Sequence, residues 1–230
     1  MEYVNKSGVA ALRGLAYTGR LDEDGLPGLT WYGATVDALT MRNLIVGGQI
    51  DYRDFLARAD VLAAAGKTVL ISDYFEYYRL AAYLTRYTSG PIALTMGVAS
   101  VQELFSEQYY SGLEGGILEA FGRLFTKDLR IYVYPLLNQV SGTLSTAHNI
   151  EMPEDMRNLY DHLMHRGRIK QLDNFDEALL HIFSRDVLRR IKDEHGTWEG
   201  MVPPEIADLI KKRRFFGYRE EESPDGVLAR

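Results

Sequence analysis

Ser72 and Asp73 are the first residues of the chain whose types and position suit chemistry. They follow the short apolar run Thr-Val-Leu-Ile and precede a helical stretch that begins near Phe75. At the end of a buried strand, Asp73 could bind a ribose hydroxyl or Mg²⁺, or act as a base, so both residues are ligand-binding candidates and Asp73 is also a catalytic candidate. Either side chain could instead cap the helix by accepting hydrogen bonds from its free N–H groups.

Gly97 and Ser100 form a second pair of candidate ligand-binding residues. Gly97 ends the apolar run that starts after Pro91, and Ser100 opens the next helical stretch. A glycine permits a ligand to approach the backbone closely, and the N-terminus of a helix favours an anion. The alternative interpretation is an ordinary strand-to-helix turn that is capped by the serine.

The segment from Glu114 to Glu119 places two acidic residues around Gly115 and Gly116. A glycine inside a helix costs about 1 kcal/mol relative to alanine, so a ligand, a crossing helix or a tight turn should justify the pair. We therefore consider the two glycines candidate ligand-binding residues, and the two carboxylates candidate catalytic groups. Acidic residues near a helix start also complement the helix dipole without any catalytic role.

No complete catalytic or metal-binding motif accompanies these candidates. His162 and His165 share a helix face, but the sequence offers no recognisable third ligand near them, so we predict no metal site. The chain has no cysteine, which excludes disulfides, thiolate ligands and cysteine nucleophiles. The sequence leaves open whether the protein is an enzyme and which cofactor it uses, with a nucleotide or dinucleotide as the cofactor that suits the predicted fold.

Four predicted strands position the candidate residues. Apolar runs at 43–47, 68–72, 91–97 and 129–134 alternate with helical patterns, which is typical of parallel strands joined by right-handed crossovers. We predict an α/β fold with a Rossmann-like, mostly parallel sheet, helices on both faces and a helical C-terminal region. Because ligands bind such sheets at the carboxyl edge, we expect Ser72, Asp73, Gly97, Ser100 and Glu114 to line the main pocket.

The patterns divide the chain into four segments. Residues 1–42 are of uncertain structure, 43–150 carry the α/β alternation, 151–218 show only helical patterns, and 219–230 form an acidic, flexible tail. We expect the helical segment to pack on the α/β domain. The length suits one domain of ordinary size with such an appendage.

Charge and hydropathy restrict the partners. The net charge is −6, with 46% hydrophobic and 25% charged residues. These values are ordinary for a globular protein, and the negative charge argues against a general nucleic-acid-binding surface. No apolar run approaches the roughly 20 residues that span a bilayer, and the N-terminus lacks a signal-peptide pattern. We therefore expect a cytoplasmic protein without a membrane partner.

Several segments between residues 67 and 218 together resemble a known family. They include the block Leu-Glu-Gly-Gly-Ile-Leu-Glu-Ala-Phe-Gly-Arg-Leu-Phe, and they lie at 68–72, 76–83, 113–125, 128–135, 182–188 and 201–204. They are similar to a bacterial family whose members are labelled either TonB-dependent receptor or nicotinamide/nicotinate-nucleotide adenylyltransferase. Members of that family are longer, with another domain ahead of this region, so the resemblance implies either half of the family architecture or a compact relative.

The two family labels imply different sequence features. The receptor label implies a signal peptide and many lipid-facing strands of alternating pattern, which the sequence does not show. The adenylyltransferase label implies a Rossmann-like α/β protein, in agreement with the strand pattern. It also requires a His-x-Gly-His-type motif after the first strand, which none of the five histidines supplies. The resemblance therefore supports the fold class rather than a reaction.

Two functions from different classes fit the sequence. The first is binding of a nucleotide or another phosphorylated small molecule at the carboxyl edge of the sheet, as a transferase or hydrolase if the protein is an enzyme. The alternative is a non-catalytic regulatory or assembly module that acts through oligomerisation or a protein partner. Fifteen tyrosines suit half-buried clefts and interfaces. Four strands are fewer than a typical sheet has, so we expect a homo-oligomer or a protein partner.

Overall fold

The computed structural model shows a mixed α/β fold built on one six-stranded sheet. It describes residues 9–14, 35–40, 45–46, 49–66, 68–72, 74, 76–86, 89–138, 141–173, 175–193 and 197–219. Within these residues there are ten β-strands and seven α-helices.

Six of the strands form the main sheet, and the other four form two short pairs outside it. In chain order they are β1 (Val9–Gly14), β2 (Thr35–Thr40), β3 (Ile45–Val46), β4 (Gln49–Ile50), β5 (Thr68–Ser72), β6 (Ile92–Gly97), β7 (Leu129–Tyr134), β8 (Leu136–Leu137), β9 (Leu144–Ser145) and β10 (Ile169–Gln171). The pairs β3–β4 and β8–β9 are separate antiparallel ribbons.

The helices follow the strands in alternation for most of the chain. They are α1 (Tyr52–Ala64), α2 (Tyr77–Leu84), α3 (Val98–Leu104), α4 (Gly116–Leu124), α5 (Glu154–His165), α6 (Ser184–Lys192) and α7 (Pro204–Arg213). Short 3₁₀ turns occupy Glu107–Tyr110, Glu177–Leu179, Glu199–Met201 and Phe215–Gly217. None of these described helices is both long enough and apolar enough to cross a bilayer.

The main sheet has the order β10-β7-β6-β1-β2-β5. Strands β6, β7 and β10 pair in parallel and form one part of it, and β2 pairs in parallel with β5. Strand β1 lies between the two parts and runs antiparallel to both of its neighbours. Five of the six strands therefore point in one direction, and β1 points in the other.

Three of the four strands expected from the sequence are confirmed, and one is wrong. The runs at 68–72, 92–97 and 129–134 are strands, and the last two pair in parallel. The run expected at 43–47 instead contributes Ile45–Val46 to an antiparallel ribbon with Gln49–Ile50. Only two residues separate those strands, which is the length of a tight hairpin and too short for a parallel crossover.

The segment 151–218 is not purely helical, contrary to the sequence pattern. Ile169–Gln171 forms β10 and extends the sheet in parallel beside β7. The hydrogen bonds continue past the strand, since the Leu172 N–H donates to the Val133 carbonyl at 3.0 Å. Three residues are too few to show a strand period, and their conformation is fixed by pairing with a distant strand. The division of the chain into four segments otherwise stays a prediction.

The larger hydrophobic core joins one face of β6, β7 and β10 to helices α2, α3, α4 and α5. At its centre, Leu94, Met96, Ile131, Val133 and Ile169 are each at most 1% exposed. A smaller core joins α6 and α7 around Trp198, and Val61 and Ala65 at the end of α1 pack against it. The larger core fixes the strands whose ends form the candidate site.

Candidate ligand-binding site at the carboxyl edge of the sheet

The shared direction of five strands places their carboxyl ends along one edge of the sheet. The ends are Thr40, Ser72, Gly97, Tyr134 and Gln171. The chain adds β2 and β5 on one side of β1, and then β6, β7 and β10 on the other side. In open α/β sheets, ligands bind at the carboxyl edge where the strand order reverses in this way.

The first two candidate pairs lie apart along this edge. Ser72 ends β5, Gly97 ends β6, and strands β2 and β1 lie between them. Three interstrand steps of about 4.8 Å correspond to a separation of about 14 Å. Asp73 falls outside the described residues. The expectation that both pairs line one pocket stays a prediction, and β1 and β2 lie between the strands that carry them.

Gly97 borders open space at the end of β6. It is the N-cap residue of α3, with an extended backbone, and no side chain caps the helix. Among the described residues, no atom outside the adjoining backbone lies within 4 Å of a Cβ built on Gly97. Ser100 lies one turn further on, at the third position of α3, and is partly buried. The turn is therefore not the serine-capped turn of the alternative interpretation, and the glycine leaves a gap.

The glycines of the third candidate segment form a tight turn at the start of α4. Gly116 has φ +54°, a conformation that L side chains rarely adopt. The Gly115 N–H donates a 2.9 Å hydrogen bond to Glu119 Oε2, and a Cβ on Gly115 would lie 2.8 Å from the Glu119 Cβ. Of the explanations offered by the sequence, the tight turn accounts for both glycines.

The two acidic residues of this segment have different surroundings. Glu119 uses one carboxylate oxygen on the Gly115 N–H and pairs the other with Arg123. Glu114 is exposed. One oxygen of Glu119 holds the beginning of the helix and the other pairs with Arg123 one turn further on, so the geometry supplies a structural role for this carboxylate. A catalytic role for Glu114 or Glu119 stays a prediction.

The structure brings Tyr134 beside Gly97, which the sequence did not indicate. The two residues are register partners on neighbouring parallel strands, as are Thr95 and Tyr132 one step earlier. On β7, Leu129, Ile131 and Val133 face the larger core. Successive side chains of a strand point to opposite faces, so Arg130, Tyr132 and Tyr134 lie on the other face of the sheet, which we call the second face.

Tyr134 lies beside the gap at Gly97, on the same face of the sheet. Its ring packs edge-on against Phe175, with the ring centroids 6.4 Å apart and an interplanar angle of 67°. Burial, together with the negative charge of Asp176, raises the pKa of Tyr134 above its ordinary value. The hydroxyl therefore stays protonated at neutral pH and can donate a hydrogen bond to a ligand.

Two cationic side chains lie further along the second face, towards the amino edge. Lys170 of β10 is the register partner of Tyr132, and its Cε lies 3.4 Å from the position of a Cβ on Gly167. Arg130 of β7 pairs with Asp128, with Nε and Oδ1 3.1 Å apart. Among the described residues, Lys170 forms no ion pair. The alternation of Leu-Arg-Ile-Tyr-Val-Tyr could have marked the β7 residues from sequence, but nothing local indicates Lys170.

The described side chains do not assemble a metal site. No three His, Asp or Glu residues in this part of the chain are grouped as ligands of one ion. His162 and His165 are exposed in the last turn of α5. The residues at the carboxyl edge offer aromatic rings, a hydroxyl and an open backbone, and the second face adds cations towards the amino edge. Together these groups suit an organic anion with a planar ring.

The chain matches no model of a protein family, no curated protein and no solved structure. The family resemblance of residues 67–218 therefore stays a prediction, and function is argued from the geometry of the site.

Proposed function

We propose that the protein binds a nucleotide or another phosphorylated small molecule at the carboxyl edge of its sheet, between Gly97 and Tyr134. The open position at Gly97 is the observation that carries this proposal. The rest of β6, from Ile92 to Met96, is at most 5% exposed. The strand is thus covered on both faces along its length and becomes accessible where it ends.

The topology supports the same place. Gly97 stands beside β1, where the strand order reverses, and Rossmann-like sheets bind nucleotides at that point. We propose that this sheet binds its ligand as Rossmann-like sheets do. It differs from them in β1, which runs antiparallel to its neighbours. A glycine at the strand end allows the backbone to approach a ligand, and Tyr134 offers both a ring face and a hydroxyl donor.

If the bound molecule is also transformed, transfer or hydrolysis at its phosphate or ribosyl group is the reaction class that we propose. Asp73, Glu114 and Glu119 are the carboxylates that we predict for this chemistry. Glu119 is the weakest of them, because its oxygens already bind Gly115 and Arg123.

A thermal-shift screen with nucleotides, dinucleotides and sugar phosphates tests the proposal. A ligand present at 100 times its dissociation constant should add about 2.7 kcal/mol to the free energy of unfolding. Gly97→Val should abolish the shift while leaving the protein folded, because the new side chain enters open space. Gly112→Val is the matched control, since Gly112 also has no atom within 4 Å of a built Cβ. Absence of any stabilising compound, or an unchanged shift in Gly97→Val, would contradict the proposal.

Assembly is the second candidate function, and exposed apolar side chains favour it. Tyr52 and Leu56 lie on successive turns of α1 and are 63% and 58% exposed, and Leu118 on α4 is 66% exposed. Single exposed apolar residues are common, but exposed apolar residues four positions apart on one helix lie on the same helix face and suit a protein interface. Light scattering of the wild type and of Leu56→Glu tests this candidate. The wild type should have a mass above that of one chain, and the variant should have a lower mass than the wild type.

A further inference from the structure

We propose that the ligand is a nucleoside monophosphate whose base stacks on Tyr132 and Tyr134 of the second face and whose phosphate is bound by Lys170. This inference rests on the proposed function and specifies its ligand. It adds two residues, Tyr132 and Lys170, that neither the strand ends nor the sequence motifs assign to a site.

Along β7, the second face is aromatic towards the carboxyl end of the strand and cationic towards its amino end. Tyr134 and Tyr132 occupy the carboxyl half of the strand, and Arg130 begins it. Lys170 stands beside Tyr132, and its aliphatic chain extends over Gly167, which precedes β10. A molecule that lies along this strand meets ring faces first and positive charge second. A nucleoside monophosphate has the matching order, with a planar base at one end and an anion at the other.

The charges at the two ends fix the orientation of the ligand. Asp176 directly follows Phe175, whose ring packs against Tyr134, so its carboxylate puts negative charge near that end and would repel an anion there. Arg130 is partly neutralised by Asp128. Among the described residues, Lys170 has no such partner. The phosphate therefore belongs beside Lys170, and the base belongs beside the two tyrosines.

The width of the accessible surface limits the ligand to one base. On the second face of β6, Ala93 and Thr95 are 4% and 1% exposed, so this neighbour of β7 is already covered. On the other side, β10 is the last strand of the sheet. Tyr132, Tyr134 and Lys170 are only partly buried. The accessible strip is thus confined to β7, its edge strand and the end of β6 at Gly97, which suits a mononucleotide better than an extended nucleic acid with several stacked bases.

Calorimetric titration of the full chain with AMP, adenosine, ribose 5-phosphate and inorganic phosphate tests the inference. AMP should bind at least tenfold more tightly than adenosine and ribose 5-phosphate, because only AMP has both ends. Tyr132→Ala should weaken AMP binding about tenfold, in line with the loss of a base-stacking contact, and Tyr132→Phe should retain it. Lys170→Gln should weaken AMP binding, reduce its salt dependence and leave adenosine binding unchanged.

Matched variants and a second ligand class make the outcomes distinct. Tyr52→Ala on α1 and Lys212→Gln on α7 remove the same groups elsewhere on the exposed surface and should leave affinity unchanged. If AMP binds and Gly97→Val abolishes binding, but the Tyr132 and Lys170 variants bind within twofold of wild type, the inference fails and the proposed function stands. If no phosphorylated compound binds, both fail. Tighter binding of a short single-stranded RNA than of AMP would overturn the mononucleotide assignment.

Discussion

The two faces of strand β7 lie a few ångströms apart and have opposite surroundings. Leu129, Ile131 and Val133 are at most 1% exposed and belong to the larger core. The residues that alternate with them, Arg130, Tyr132 and Tyr134, are only partly buried. The neighbouring strand β6 shows no such difference, since all its residues up to Met96 are buried. The asymmetry therefore begins at β7, where the sheet approaches its edge.

The tyrosines on the two sides of the sheet differ in the same way. In the larger core, the Tyr110 hydroxyl donates to the Leu104 carbonyl at 2.7 Å, and the Tyr160 hydroxyl donates to the Ala147 carbonyl at 2.6 Å. Buried hydroxyls need such partners because an unsatisfied donor is costly. Among the described residues, Tyr132 has no hydrogen-bond partner. The core tyrosines thus stabilise the fold through their hydroxyls, and the proposed ligand site uses tyrosines of the other face.

The largest test of this comparison is a pair of truncations at adjacent positions of β7. Ile131→Ala should lower the free energy of unfolding by about 2–5 kcal/mol, because it leaves a cavity in a closed core. Tyr132→Ala should lower it by about 1 kcal/mol, although it removes a larger side chain, since Tyr132 is only partly buried. Urea unfolding followed by circular dichroism gives both values. Equal losses of unfolding free energy would mean that the second face is packed as closely as the core face, so that no accessible strip is left for a ligand.

The sequence predicts the strands that are rich in β-branched and aromatic residues and misses those that are not. The runs that became β5, β6 and β7 have a clear apolar pattern. By contrast, β1 reads Val-Ala-Ala-Leu-Arg-Gly, which is poor in strand-forming residues, and β10 has only three residues. Their conformation comes from pairing with distant strands, so no local pattern reveals it.

These missed strands explain which parts of the site could be predicted. The gap at Gly97 could be predicted, because a glycine at the end of an apolar run is visible in the sequence. The expectation that Ser72 and Gly97 line one pocket stays a prediction, and the sequence could not reveal that β1 and β2 lie between their strands. The proximity of Tyr132 to Lys170 could not be foreseen, since it depends on the pairing of β10 with β7.

The response to alkaline pH should sharpen the comparison between the two sets of tyrosines. Burial raises the pKa of Tyr160 to about 12, and burial together with Glu103 raises the pKa of Tyr77 to about 12. The ordinary pKa of tyrosine is about 10, so the folded state keeps these protons after the unfolded chain has lost them. Their contribution is fully present below about pH 10 and is lost as the pH rises from about 10 to about 12.

A shift of about two pH units corresponds to roughly 2–3 kcal/mol for a fully buried tyrosine. We therefore expect the free energy of unfolding to fall steeply above about pH 10, and tyrosinate absorbance to rise together with unfolding. Tyr160→Phe removes one of these groups, so its stability should fall less steeply with pH than that of the wild type. A stability that stays constant up to about pH 11 would show that the core tyrosines are accessible to solvent.

The smallest expected effects come from two glycines of α4, the helix that covers the larger core with Ile117, Ala120, Phe121 and Leu124. Gly116→Ala should destabilise the protein by about 1–2 kcal/mol, because φ at this position is +54° and an L side chain is strained there. Gly122→Ala, in the interior of the same helix, should stabilise it by about 0.5–1 kcal/mol, since a Cβ there meets no atom within 4 Å. Urea unfolding of both variants measures the two signs under one set of conditions. If Gly116→Ala is neutral, the tight turn does not explain the paired glycines, and a ligand beside Glu114 and Glu119 becomes the explanation to test.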